Sequence, residues 1–154
     1  MKLRIPPPFL MLLSALVMWM LNRWLPIMHW ITPPWNWIGA ISAVVGIVTL
    51  IAAFVRFHQA RTTINPMDPG KASKLVTGGI FRFTRNPMYL GLALLLIGWA
   101  VALGSASPCV IPPLFVVLIT AVQILPEEQA LDRLFGFEFQ RYRARVPRWI
   151  GKPS

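Results

Sequence analysis

Arg85-Asn86-Pro87-Met88-Tyr89-Leu90-Gly91 is a polar, rigid septet placed immediately before the longest uncharged run of the chain. After Arg85 no charged residue occurs until Glu127 and Glu128. A guanidinium closes one end of this tract and two carboxylates close the other. Folded back at Gly104-Ser105-Ala106-Ser107-Pro108, a tract of this length makes two membrane-crossing helices whose free ends return to one side. Arg85 and the glutamate pair then become neighbours at a membrane surface, where isolated charges are costly and usually functional.

The composition agrees with a membrane chain. Of 154 residues, 56% are hydrophobic and 13% charged, with a mean hydropathy of +0.60, which is too apolar for a soluble domain. The net charge of +10 comes from 15 Lys and Arg against 5 Asp and Glu. These basic residues flank apolar spans and do not interleave with aromatics on a polar surface, so the expected partner is the bilayer and not nucleic acid. A single cysteine, Cys109, excludes an internal disulfide and is expected to serve packing.

Working outward from the septet, an all-α integral membrane bundle of four transmembrane helices is expected, as a single domain over residues 1–154. The spans are placed at about 6–22, 35–55, 88–104 and 108–125. The first apolar run exits into Asn22-Arg23-Trp24 without a small-residue cleavage pattern, so a retained helix is expected and not a signal peptide. Trp19, Trp24, Trp30, Trp35 and Trp37 crowd around the loop that follows and mark one membrane face. Gly39, Ala43 and Gly46 form a small-residue stripe along the second span, a seam for another helix of this chain or of a second copy. Pro112 and Pro113 should bend the fourth span.

Residues 56–87 read as a cytoplasmic loop broken by Pro66, Pro69, Gly70, Gly78 and Gly79, in which Thr62 and Thr63 are candidates for a segment covering the site. The cytoplasmic C-terminal segment, 126–154, opens with an interfacial amphipathic helix from Glu127 to Arg145 that Gly136 interrupts. Its tail is expected to rest in the headgroups through Arg148 and Trp149. With both termini inside, Arg23 is the single basic residue outside, as the positive-inside rule requires.

From the residues alone, the Arg85 septet is either a helix entry, with Asn86 capping and Pro87 at the first helical position, or half of a site for a zwitterionic ligand. Glu127 and Glu128 are the other half, or a plain helix start after Pro126. His29 and His58 fall at opposite membrane faces, so no metal site is expected. His58 reads as an interfacial side chain or a border of the pocket.

The septet and the run that leads into it, Leu75-Val76-Thr77-Gly78-Gly79-Ile80-Phe81-Arg82-Phe83-Thr84, are followed by Glu127-Glu128 and Leu131. Then come Phe135-Gly136-Phe137-Glu138-Phe139-Gln140-Arg141-Tyr142 and Arg145-Val146-Pro147. Together they resemble the integral-membrane methyltransferases related to isoprenylcysteine carboxyl methyltransferase and the phospholipid methyltransferases. The resemblance implies S-adenosylmethionine as cofactor, bound by Arg85, Asn86, Pro87, Tyr89, Gly91, Glu127, Glu128 and Leu131. It implies catalytic roles for Arg85, Glu127 and Glu128, and a lipophilic or small-molecule methyl acceptor that enters from the lipid. Arg141, Tyr142 and Arg145 are candidates for holding that acceptor. Asn86 departs from the histidine usual at its position; an amide hydrogen-bonds but cannot act as a base. The rival expectation is a non-catalytic membrane scaffold or small transporter component in which Arg85 and the glutamates only lock the helices.

Overall fold

The computed structural model describes residues 6–60 and 74–153, whose regular elements are all helices, with no strand among the described residues. Thr62, Thr63 and Pro66 of the expected covering loop lie outside the described residues. Helix α1 is Pro7–Trp24, and α2 is Ile38–Ala60, led in by a 3-10 turn at Trp35–Trp37. Helix α3 is Pro87–Leu103, α4 Ile111–Ile119, α5 Leu125–Phe135 and α6 Phe137–Arg143. The second helix therefore runs past the expected limit at 55 and carries Arg56 and His58 on its last turns.

The helix of the expected fourth span continues past residue 125. Ser107–Phe135 is one continuous rod in which α4 passes into α5 through a π-helical turn at Thr120–Ile124. Pro126 has no N–H to donate, and its ring crowds the carbonyl four residues back; the wider π turn just before it absorbs both effects. Pro112 and Pro113 fall in the first turn of α4, where no intrahelical N–H is needed, so they start the helix and do not interrupt it. Gly136, at φ +48° and ψ −118°, stops α5 and turns the chain into α6, so the expected surface helix is two helices and the first belongs to the rod.

Helix α3 is apolar on every face, and it is central because it packs against α1, α2 and α4. Leu92, Ala93, Leu96 and Ala100 meet Met18 of α1 and Phe115 and Ile119 of α4 in the main core. On its other side α3 crosses α2 antiparallel at two reciprocal glycine pairs. A Cβ on Gly46 would lie 2.8 Å from the Gly91 carbonyl oxygen, and one on Gly91 the same distance from that of Gly46. Gly39 and Gly98 are paired in the same way one heptad away, and Ser42 Oγ donates to the Leu94 carbonyl at 2.9 Å. The small-residue stripe of α2 thus packs within the chain, where dispersion and close backbone approach hold helices without a hydrophobic driving force.

Both helix connections at one end of the bundle are sewn together. Trp30 and Ile31 N–H donate to the Gly104 carbonyl, Ala106 N–H donates to that of Ile27, and Ser105 Oγ donates to Asn22 Oδ1 at 2.6 Å. The five tryptophans of the expected belt are exposed around this end. Two helices, Trp35–Ala60 and Ser107–Phe135, are long and apolar enough to cross a membrane; Pro87–Leu103 is apolar but shorter. Along α2 the outward side chains are large and apolar, with Ile41 at 64% and Val44 at 58% exposure. A soluble protein would bury such a helix; here its apolar face is left for lipid.

Candidate functional site

The opposite end gathers the septet, the start of α5 and the C-terminal tail. Arg85 is drawn in first by its backbone, whose N–H donates to the Pro147 carbonyl at 2.9 Å. Its guanidinium then ties Glu128 to the C-terminal segment. Nη2 meets Glu128 Oε1 at 2.9 Å, and Nη1 donates to the Arg143 carbonyl at 3.0 Å. Arg148 completes the cluster: its Nη2 lies 2.7 Å from Glu128 Oε2 and its Nε 3.1 Å from Oε1. Glu128 is held by two guanidiniums, one of them bidentate. Side-chain exposure is 3% for Arg85, 9% for Glu128 and 27% for Arg148, so this is a largely desolvated ion cluster with a formal surplus of one positive charge. Burial lowers the Arg85 pKa and the Glu128 charge opposes that, while the hydrogen bond to Glu128 raises the pKa of Arg148.

Asn86 occupies the cap position of α3, but its side chain does not cap the helix. Its Nδ2 donates to the Arg148 carbonyl at 3.0 Å, and buried Thr84 Oγ1 donates to the same oxygen at 3.1 Å. The tail expected in the headgroups is thereby fastened beneath the septet, and Trp149 Nε1 closes it against Thr120 Oγ1 at 3.1 Å. The physical reason is valence: a buried carboxylate has about four lone-pair sites, and Arg85 alone does not fill them.

Glu127 has a different setting. Tyr89, one turn into α3, donates its hydroxyl to Glu127 Oε2 at 3.0 Å, and the Gln123 side chain donates to the same hydroxyl oxygen. The π turn is what aims Gln123 into the interior, where it is 4% exposed. Above this pair opens a cavity of about 410 Å³. Its walls are apolar, with Leu50, Phe54 and Phe57 of α2, Phe81, Met88 and Leu92, and Pro6, Pro7 and Pro8 at the rim. Its polar lining comes from Arg85, Asn86, Tyr89 and Glu127, with Pro87 beside them. Largely apolar walls with a few converging polar groups are the usual make-up of a small-molecule site.

Not every residue expected at the site lines this cavity. Glu128 is committed to the two arginines, Gly91 faces Gly46 in the helix seam, and Leu131 packs with Phe81, Phe139 and Tyr142 in a second core cluster. Arg141, Tyr142 and Arg145 line a separate hollow with Thr77, Arg82 and Glu138. Tyr142 is buried; its hydroxyl donates to the Phe81 carbonyl at 2.7 Å, and burial raises its pKa, so it remains a donor. His58 stacks on Phe54 at 6.4 Å and is exposed. Arg148, Gln123 and Thr84 are the residues that sequence reading missed. A cation directly after the Arg145-Val146-Pro147 motif was the available signal for the first; Thr84 closes the run that leads into the septet, and Gln123 carries no pattern.

Fold and site together define a helical membrane protein with a mostly apolar cavity at one end of the bundle. The chain belongs to the phospholipid methyltransferase family, whose model matches residues 35–138. Among similar proteins, an uncharacterised protein of Haemophilus influenzae is 38% identical over 63 residues, covering 41% of this chain and 100% of that protein. The protein-S-isoprenylcysteine O-methyltransferase of Schizosaccharomyces pombe is 29% identical over 99 residues, 64% of this chain and 42% of its own length. Protein-S-isoprenylcysteine O-methyltransferase A of Arabidopsis thaliana is 28% identical over 108 residues, 70% of this chain and 55% of its own. The chain thus spans about half the length of the isoprenylcysteine methyltransferases it matches. No solved structure is a significant match.

Proposed function

We propose that the chain is an integral-membrane methyltransferase that uses S-adenosylmethionine and acts on a membrane-associated or lipophilic acceptor: an isoprenylcysteine carboxylate, an aminolipid or a thiol. The observation that carries this reading is the convergence of Arg85, Asn86, Tyr89 and Glu127 on the base of one apolar cavity. In the same reading the residues form one domain of four membrane-crossing helices, with both termini and the site on the cytoplasmic side, where nearly all the basic residues collect.

The donor set fits the cofactor's charges. Glu127 offers a carboxylate to its ammonium, and the surplus positive charge around Arg85 favours its carboxylate. Pro87 and the aromatic rings of the wall give its adenine an apolar surface. When bound, S-adenosylmethionine supplies a methyl group made electrophilic by the sulfonium. The chain's own work is alignment in an apolar setting: Phe54, Phe57 and Phe81 give the cavity an apolar wall, and Tyr89 fixes the Glu127 carboxylate. For an amine or thiol acceptor, a Glu127 carboxylate oxygen receives the proton lost. Glu128 positions Arg85 and does not touch the ligand.

The rival scaffold reading has one observation in its favour, the saturation of Glu128 by arginines, but it leaves Glu127 and the cavity without a purpose. Incubation with methyl-labelled S-adenosylmethionine and a panel of prenylcysteine, aminolipid and lipophilic thiol acceptors tests the two. Labelled product from at least one acceptor is expected, with a fall of roughly tenfold or more for Glu127→Gln. No product across the panel, or a rate indifferent to Glu127, would favour the scaffold.

A further inference from the structure

Behind the cavity wall lies the second hollow, about 390 Å³ in volume, which shares no lining residue with the cavity. Arg82 of the 3-10 turn at Gly79–Arg82 faces Arg141 and Arg145 of the C-terminal segment, with Thr77 beside them and Glu138 as the one carboxylate. All three arginines are exposed. The two walls are fixed relative to each other by the Tyr142 hydroxyl on the Phe81 carbonyl, and the Arg141 guanidinium is steadied over the Phe137 ring at 4.9 Å. Large apolar side chains stand out of the protein nearby in the chain: Phe83, next to Arg82, is 74% exposed and Phe137, beneath Arg141, 71%.

We propose that this hollow binds the phosphate of an anionic membrane lipid. Guanidinium forks match phosphate oxygens in geometry and charge. A free phosphate would use the arginines alone, whereas Phe83 and Phe137 also give a lipid's acyl region an apolar surface, as interfacial sites require. The site is also tied to the cavity. Phe81, whose carbonyl anchors the hollow, lines the cavity with its ring, and Arg143, between Arg141 and Arg145, holds Arg85 through its carbonyl. A lipid bridging the two walls therefore braces the segment that positions Arg85.

The inference rests on the proposed membrane location but not on methyl transfer, and its test contains no methyl donor. Full-length protein is extracted into detergent with equal amounts of phosphatidylcholine and phosphatidylglycerol, and the retained lipids are counted by native mass spectrometry. Preferential retention of phosphatidylglycerol is expected, falling roughly tenfold or more in Arg141→Gln/Arg145→Gln. Arg82→Gln, on the opposite wall, should lower it about fivefold and keeps the test independent of how α6 folds. Equal retention of the two lipids by the wild type, or retention unchanged in both variants, overturns the proposal. So does complete displacement of the lipid by millimolar inorganic phosphate, which would assign the hollow to a free anion. Failure on any of these counts leaves the proposed methyl transfer standing.

Discussion

Glu128→Gln should lower the stability of the folded protein by roughly 3–5 kcal/mol, the range for removing one partner of a buried ion pair. The glutamine keeps the shape but removes the charge that two guanidiniums share, and Arg85, at 3% side-chain exposure, cannot turn to water instead. Thermal melting in detergent is the measurement, and a fall of roughly 10 °C is expected for a chain of this size. Arg148→Gln should cost clearly less, because Arg148 is 27% exposed and its loss still leaves Arg85 to neutralise Glu128. Arg85→Gln combined with Glu128→Gln should cost less than the sum of the two single changes, since the second removes a charge that the first has already stranded. A melting point for Glu128→Gln within about 2 °C of wild type would mean that the cluster is solvated and not structural.

The second large effect lies at the helix seam. Gly46→Leu places a branched side chain where a Cβ alone would stand 2.8 Å from the Gly91 carbonyl oxygen. The obstacle is backbone, so no rotamer change relieves it and α2 must move away from α3. A loss of about 3 kcal/mol or more is expected, at or beyond the upper end of overpacking effects. Displacing α2 also shifts Leu50, Phe54 and Phe57, which form one wall of the cavity, so ligand affinity should fall with stability. Val44→Leu, on the lipid-facing side at 58% exposure, is the control and should melt like the wild type. Equal tolerance of both substitutions would contradict the antiparallel glycine pairing.

Much of this was legible in the chain because charge placement in a membrane protein is sparse. With no charge between Arg85 and Glu127, only a folded-back pair of helices brings these groups together, and the structure has Arg85 on Glu128 at 2.9 Å. The Gly39-Ala43-Gly46 stripe declared its packing role, but its partner could not be read: the structure sets Gly91 and Gly98 of α3 against it. The division of labour between adjacent glutamates was also hidden. Neighbours on a helix differ in direction by about 100°, and which one meets the arginines depends on the π turn ahead of Pro126, a local change of register that no periodicity signals. Arg148 was misplaced because a basic tail beside a membrane ordinarily meets headgroups; the buried carboxylate here claims it first.

Calorimetric titration of the purified protein with S-adenosylmethionine tests the central claim most directly. Saturable binding at one site is predicted, weakened roughly tenfold or more by Glu127→Gln with no large change in melting point, and also weakened by Arg85→Ala. No heat of binding to a folded wild-type protein, or an affinity that Glu127→Gln leaves unchanged, would contradict it.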